Sequence, residues 1–341
     1  MSRPLRILAL VDERLKPPEN PKSSELRTAD WKMEYDVVAT LANAGHEVHT
    51  LGVGSDLGAI RAAVEERKPQ AVFNLLEDFH GVPIYDQNVV SYLELLQVPY
   101  TGCNPRGLLL ARDKAISKML LASHRIPTPE FAVFRRGQKF RRPARLRFPL
   151  IVKSLNKEGS VGISQASIVH GDEELAARVK LMHERHGTHA IAEQYVDGRE
   201  LYVGVVGNDR LQVFPTWELG FTKLPDDAPR IATQRVKWDP AYQKKVGVKT
   251  SAAKDLPNGV AQAIPRLAKR VFRALQLNGY ARIDFRLAAD GRPFVLEANP
   301  NPQLAYGEDF AESAEHAGLG YPELLQRIVQ LGMSWSPERT G

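Results

Sequence analysis

The stretch from Gly279 to Gln303, GYARIDFRLAADGRPFVLEANPNPQ, constrains the fold of this chain more than any other segment. Apolar residues alternate on both sides of Asp290-Gly291, a pattern that predicts two antiparallel strands joined by a two-residue turn. In that register Ala289 pairs with Arg292, Asp284 faces Glu297 and Arg282 faces Asn299. A period of two then puts these last four on one face and Ile283, Phe285, Leu296 and Ala298 on the other. Two carboxylates directly opposed across a ladder destabilise it unless a cation neutralises them. Carboxylate and amide oxygens without Cys or His suit a hard ion, Mg²⁺ or Mn²⁺, of the kind that bridges nucleotide phosphates. The plainer reading is a solvated strand face. Asn299-Pro300-Asn301-Pro302 weighs against it, because two prolines stiffen the exit of the acidic strand, as a preorganised site requires.

The rest of the composition sets limits on what such a site can belong to. A chain of 341 residues has the length for two or three domains and buries a large core unaided. A single cysteine, Cys103, excludes a disulfide framework and a Cys-rich zinc site, and it reads as a small buried residue in a reducing, cytoplasmic protein. The apolar run within Met1–Val11 is too short for a signal peptide, and no segment approaches the length of a membrane span. Much of the net charge of +6 sits in the run from Arg135 to Arg147. With little aromatic interleaving, that run reads as a solvated hairpin between domains rather than a nucleic-acid surface.

Periodicity divides the remainder into three blocks. Residues 1–103 alternate short apolar strands (Leu5–Val11, Glu47–Val53, Ala71–Leu76) with amphipathic helices (Trp31–Ala44, Leu57–Arg67), the pattern of a parallel α/β unit. Residues 104–206 hold a basic helix, Arg112–Ser123, a strand at Phe148–Lys153, a loop at Asn156–Ser164 and a further strand at Gln165–Val169. That loop contains Gly and Ser and follows Lys153, so its amides and the lysine can both face phosphate oxygens. Residues 207–341 contain an irregular, lid-like stretch at Thr216–Leu256, a helix at Asn258–Gln276 kinked by Pro265, the hairpin, and a helical tail around Tyr321–Leu331.

Seven stretches in this order carry a resemblance: Val72–Asn74, Leu93–Gly102, Arg112–Lys114, Phe148–Lys153, Glu158–Ser164, Ala192–Glu200 and Arg282–Pro302. Together they resemble the D-alanine–D-alanine ligase branch of the ATP-grasp ligases over nearly the whole chain. The resemblance implies an α/β ATP-grasp fold with an N-terminal parallel α/β (pre-ATP-grasp) domain at 1–103. A central ATP-binding subdomain with a glycine loop would span 104–206, and a C-terminal subdomain with lid and metal site 207–341. Lys114 and Lys153 would hold ATP phosphates under a loop containing Glu158, Gly159 and Ser160. Glu193, Gln194 and Val196 would bind adenine and Glu200 the ribose. Asp284, Glu297 and Asn299 would ligate Mg²⁺, with Mn²⁺ as a substitute. Arg282, aided by a backbone N–H near Gln303, would stabilise the oxyanion formed when an amine attacks an acyl phosphate.

The implied activity is ATP-dependent joining of a small-molecule carboxylate to an amine, with a homodimer compatible and neither a membrane nor a nucleic acid as partner. Two alternatives stand beside it. One is a ligase of the same mechanism acting on another amino acid, a peptide or a protein tail; the other is a nucleotide-binding regulator without catalysis. Several positions depart from the family pattern. The first-domain substrate loop reads Glu77-Asp-Phe-His-Gly81 and Ile84-Tyr-Asp-Gln-Asn88, in which Glu77, Asp78, His80 and Asp86 are candidates for the substrate site. After Gln303, where the family places a serine that grips the acceptor's carboxylate, Ala305–Asp309 offers Glu308 instead, and an acid there repels a carboxylate. Trp238 and Tyr242 are candidates for a lid, with Lys223, Arg235 or Lys237 reaching the γ-phosphate.

Overall fold

A computed structural model describes residues 3–22, 26, 29–157, 159–225 and 228–337. The first sheet is wholly parallel, in the order β2-β1-β3, from β1 (Arg6–Asp12), β2 (Glu47–Val53) and β3 (Ala71–Asn74). Between them run α1 (Lys32–Asn43) and α2 (Gly58–Arg67), and after them α3 (Asp86–Leu95). Strand alternation decides what covers each face. Leu8 and Leu10 turn to a core containing Ile60 of α2 and Val89 and Leu93 of α3. Ile7 and Val11 turn the other way, to Met33, Val37 and Leu41 of α1.

The expected helix at Arg112–Ser123 is α5 (Lys114–Ser123), and a further helix, α4 (Pro105–Arg112), precedes it. Asp113 separates them, because its side chain accepts from the Ala115 and Ile116 amides and caps α5. A four-stranded sheet follows, in the order β4-β7-β5-β6, with β4 (Phe131–Phe134), β5 (Leu150–Ser154), β6 (Ile168–Val169), α6 (Asp172–Arg185) and β7 (Ala190–Gln194). Because β4 and β5 each pair with β7 and not with each other, the basic run at 135–147 is a crossing connection, not a hairpin. Most of the expected strand at Gln165–Val169 is a 3-10 turn closed by a Ser164–Ser167 capping box.

The largest sheet is built on β8 (Gly198–Val206), paired by β9 (Gln212–Val213) and by β10 (Trp217–Phe221). The stretch expected to be irregular continues as α7 (Gln234–Trp238), α8 (Pro240–Val246) and β11 (Val248–Ala252). Thr233 and Asp239 cap the two helices, Pro240 opens the second and Gly247, at φ 65°, ends it. Next come α9 (Val260–Ala274), with Pro265 inside it, then β12 (Tyr280–Ala288) and β13 (Pro293–Pro300), giving the order β11-β10-β8-β12-β13. The chain closes with α10 (Asp309–His316), which periodicity did not reveal, and α11 (Tyr321–Ser334). Leu324, Ile328 and Val329 of α11 share a core with Ile7, Phe73 and α1, so the last helix packs beneath the first sheet.

The hairpin has the expected register at its chemical end and a different turn. Arg282 pairs with Asn299 and Asp284 with Glu297, but Ala288, not Ala289, exchanges hydrogen bonds with the far side of the turn. Three residues form the loop, with Gly291 at φ 81° in the position that favours glycine. A bulge beside Phe285 restores the register between turn and site. The bulge also reverses two side chains: Val295 enters the core, whereas Leu296 lines the cleft.

Candidate active site

The hairpin's polar face meets the end of β5 and the start of α5 across a cleft. Lys114, Lys153, Lys157, Lys237 and Arg286 line it together with Glu200, Asp284, Glu297, Gly159 and Ser160. Cations thus outnumber carboxylates. The opposed acids are neutralised from within the chain. Arg282 reaches along its own strand to grip Asp284 with two hydrogen bonds of 2.8 and 2.9 Å, and its guanidinium stacks on the Tyr202 ring at 4.5 Å. Burial pushes Asp284 up to about 6 against the pull of Arg282, and Glu297 adds to the rise. For Glu297, burial is outweighed by Lys114, Lys237, Lys153 and Arg282, which hold it below the usual carboxylate range. Lys114 Nζ stands 3.7 Å from Glu297 and donates to the Lys157 carbonyl at 3.0 Å.

Behind this layer lies a residue that sequence reasoning missed. Lys118, 1% exposed, is paired with Glu193 at 3.4 Å and donates to the Leu296 carbonyl at 2.9 Å. Lys153 approaches the same Glu193 at 3.2 Å. Burial lowers the Lys118 ammonium, with Glu193 opposing that shift. The signal was present, since Lys118 follows Lys114 by one helical turn and therefore shares its inward face. Arg286 and Leu296 were likewise not foreseen: Arg286, 3.1 Å from Glu200, follows Asp284 by one strand period, and Leu296 needed the bulge.

The other candidate residues are placed as follows. Glu193 points inward, Gln194 is exposed, and Val196 is half-buried and does not line the cleft. Glu200 lines the cleft while paired with Arg286, and it accepts from the Tyr202 hydroxyl at 3.0 Å. Glu158 lies outside the described residues. Gly159 (φ 66°) and Ser160 (φ 59°) are both left-handed. The glycine loop is fastened to α7, because Trp238 Nε1 donates to the Gly159 carbonyl at 2.8 Å and the Gly162 amide donates to Gln234 at 3.0 Å. Of the lid candidates, Lys237 lines the cleft and Trp238 touches the loop, while Tyr242 packs under Arg235 at 4.1 Å.

Asp86, 2% exposed, is ion-paired with Arg112 at the start of α3, which takes it out of the cleft lining. Glu77 and His80 are exposed in the loop after β3, and Gln303 and Glu308 are exposed in the segment after β13. That segment is bound to α1: the Tyr306 amide donates to Asp36 at 2.9 Å, and Lys32 donates to the Tyr306 carbonyl at 2.8 Å. Cys103 is buried and its thiol is pushed up to about 12 by burial, consistent with a packing role.

The donor set fits a hard divalent cation. Asp284 and Glu297 present carboxylate oxygens from paired positions, and the Asn299 amide lies 3.1 Å from Asp284. Among the described residues, no three His, Cys, Asp or Glu side chains gather into an alternative metal site.

Residues 120–330 match the family model described as D-ala D-ala ligase C-terminus. An uncharacterized protein of Sinorhizobium fredii is 33% identical over 302 residues, 86% of this chain and 85% of the relative. A D-alanine–D-alanine ligase of Bordetella avium is 33% identical over 295 residues, 85% of each. The D-alanine–D-alanine ligase of Bacillus anthracis, solved in complex with ATP, shares the fold with a TM-score of 0.74 at 20% identity, covering 96% of this chain and 97% of that one.

Proposed function

This chain belongs to the D-alanine–D-alanine ligase family of ATP-grasp enzymes, and from that premise we propose how its residues divide the work of an ATP-dependent ligase that forms an amide bond. The supporting observation is the ring of Lys114, Lys153, Lys237 and Arg282 around Glu297. Such a ring holds a polyphosphate by charge while leaving carboxylate oxygens to share with a metal.

In this reading Lys114 and Lys153 hold ATP phosphates, and Lys237 of α7 reaches the γ-phosphate. The loop through Gly159 and Ser160 covers the nucleotide, with Glu193, Gln194 and Val196 facing adenine and Glu200 the ribose. Asp284, Glu297 and Asn299 would hold Mg²⁺, which when bound offsets charge on the transferring phosphoryl group. A substrate carboxylate oxygen attacks the γ-phosphorus, ADP leaves, and an acyl phosphate forms. The amine nitrogen then attacks the acyl carbon, phosphate leaves with the bonding pair, and the nitrogen gives up its proton. Arg282, already fixed by Asp284 and Tyr202, faces the oxyanion of that step, so the chain contributes positioning and fixed charge. The division at 1–103, 104–206 and 207–341, a site between small-molecule substrates, and a cytoplasmic setting belong to the same proposal. No helix among the described residues is long and apolar enough to cross a membrane.

A screen of carboxylate and amine pairs for ATP-dependent phosphate release, with mass analysis of the product, tests this. An amide equal in mass to the two substrates less water is expected. Phosphate release that never exceeds the protein-free rate, with any pair, overturns it.

A further inference from the structure

Beyond the nucleotide, the polar face of β12 leads toward the first sheet, and the character of its surroundings changes sign. Arg282 is the last cation of the cleft, and it is committed to Asp284. Glu308 faces it from the start of α10, with Asp309 adding negative charge beside it. Glu308 is exposed and forms no ion pair with another described residue, and the other cation acting on it, Lys32, is taken by Asp36 and the Tyr306 carbonyl. Two residues back along β12, about 7 Å at the usual strand rise, Tyr280 lies near Glu77.

Glu77 in turn faces Glu34, in the first turn of α1. Glu34 is 1% exposed and its Oε2 has no hydrogen-bond partner. The charges acting on it are Glu77 and Asp12, both negative; burial and these two acids push it up to about 7. Asp12 is itself paired with Arg14, which also lies 3.1 Å from Asp78. A buried carboxylate oxygen without a partner, directed at further acids, is costly unless something positive arrives. The bonds from Asp36, Lys32 and Met33 to residues 304–306 hold the Glu308 segment against the helix that bears Glu34. The segments that carry the two acidic groups are therefore fastened to each other.

We propose that this end of the cleft selects its amine substrate by positive charge and disfavours a free carboxylate: the acceptor is an amine whose neighbouring carboxyl is absent or already amidated, and a second cation on it strengthens binding. This deepens the proposed function by naming the acceptor class, and it rests on that reading for the location of the acceptor. An amino acid's own carboxylate would meet Glu308 and Asp309 with Arg282 and Lys32 already engaged, whereas an ammonium would find the exposed carboxylate of Glu308 and the unpartnered Oε2 of Glu34.

Isothermal titration of the full chain with D-alanine, D-alaninamide and lysinamide, with and without saturating Mg²⁺-ADP, tests this directly. D-alanine and its amide differ at the carboxylate alone, and lysinamide adds the second cation. D-alaninamide is expected to bind about tenfold more tightly than D-alanine, and lysinamide more tightly again. Glu34→Gln and Glu308→Gln, close to isosteric, should each weaken lysinamide about fivefold or more, with retained Mg²⁺-ADP binding as the check on folding. Equal or tighter binding of D-alanine, no binding of either amide, or variants that bind lysinamide as well as the parent would each overturn the proposal. Loss of nucleotide binding in the parent overturns the ligase reading instead, while the amine series still decides this one.

Discussion

Glu34, which is buried, and Glu297, which lines the cleft, are acids with opposite surroundings, and the contrast makes both testable. Glu297 has lysines on several sides and is held below its ordinary value, whereas the charged neighbours of Glu34 among the described residues are the acids Glu77 and Asp12, and burial with these two raises it to about 7 from 4.5. A carboxyl raised in the folded state binds its proton more tightly there than in the unfolded chain. Its contribution to stability is therefore complete below about pH 4.5 and is lost as pH climbs through about 7. Glu34→Gln removes that loss. The variant should be more stable than the parent at about pH 8 by roughly 2–3 kcal/mol, with a flatter stability profile between those two values. Denaturant unfolding at a series of pH values measures it, and a variant less stable than the parent at high pH counts against the buried, unpaired carboxylate. At Glu297 the expectation reverses. In the proposed ligase, Glu297→Gln removes a metal oxygen and the counter-charge of Lys114, so phosphate release should fall by about 100-fold or more. The melting temperature should shift little, because the cleft remains open and hydrated around it; undiminished turnover would remove Glu297 from the site.

The hairpin and the lid show what a sequence can and cannot reveal about an element. Alternation placed Asp284 opposite Glu297 correctly, although the turn has three residues where two were expected. The bulge beside Phe285 compensated for the extra loop residue. Bulges leave little trace in a hydrophobic pattern, so Leu296 was assigned to the core although it faces the cleft. The parallel sheet was legible because β1 and β3 carry unbroken apolar runs, Ile7–Val11 and Ala71–Phe73, and Gly45, at φ 92°, follows the end of α1 before β2. The stretch around α7 and α8 was not: helices of five and seven residues are too short to display a period, and only their caps were visible in the sequence. Lys118 was missed because a lysine on an otherwise amphipathic helix reads as solvent-facing until Glu193, 75 positions later, is brought against it by β7. The lid carries a prediction of its own. Trp238 is 67% exposed, so its ring does little for the core, and its bond to Gly159 is its clearest tie to the rest of the chain. Trp238→Phe keeps an aromatic ring and deletes that bond. One ordinary hydrogen bond corresponds to about a two- to tenfold rise in the KM for ATP, with unfolding unchanged; an unaltered KM would mean that the contact does not hold the loop over the nucleotide.

At the scale of the molecule, the cores explain how one ligand can report on the whole. The four-stranded sheet has a core of its own, from Ala132 and Leu150 to Met182. The first sheet and the largest sheet instead share theirs, through α9 on one side and through α10 and α11 on the other. The cleft lies between these two bodies, with Ile151 and Lys153 on one wall and Asp284 and Glu297 on the other. A nucleotide held by both walls stabilises the folded arrangement of both, by about 2.7 kcal/mol at a hundredfold excess over its dissociation constant. For a chain of this length that corresponds to a rise of about 4 °C in melting temperature. Lys153→Met should abolish most of the rise, because Lys153 stands on the wall opposite the hairpin and also holds Glu193. A scan with Mg²⁺-ATP, Mg²⁺ alone and ATP alone separates the contributions. Both components together should give the full shift, since the phosphates supply the charge that links the lysines to Asp284 and Glu297. If saturating Mg²⁺-ATP moves the transition no further than Mg²⁺ alone, the two walls are not joined by a nucleotide, and the ring of cations around Glu297 must serve another anion.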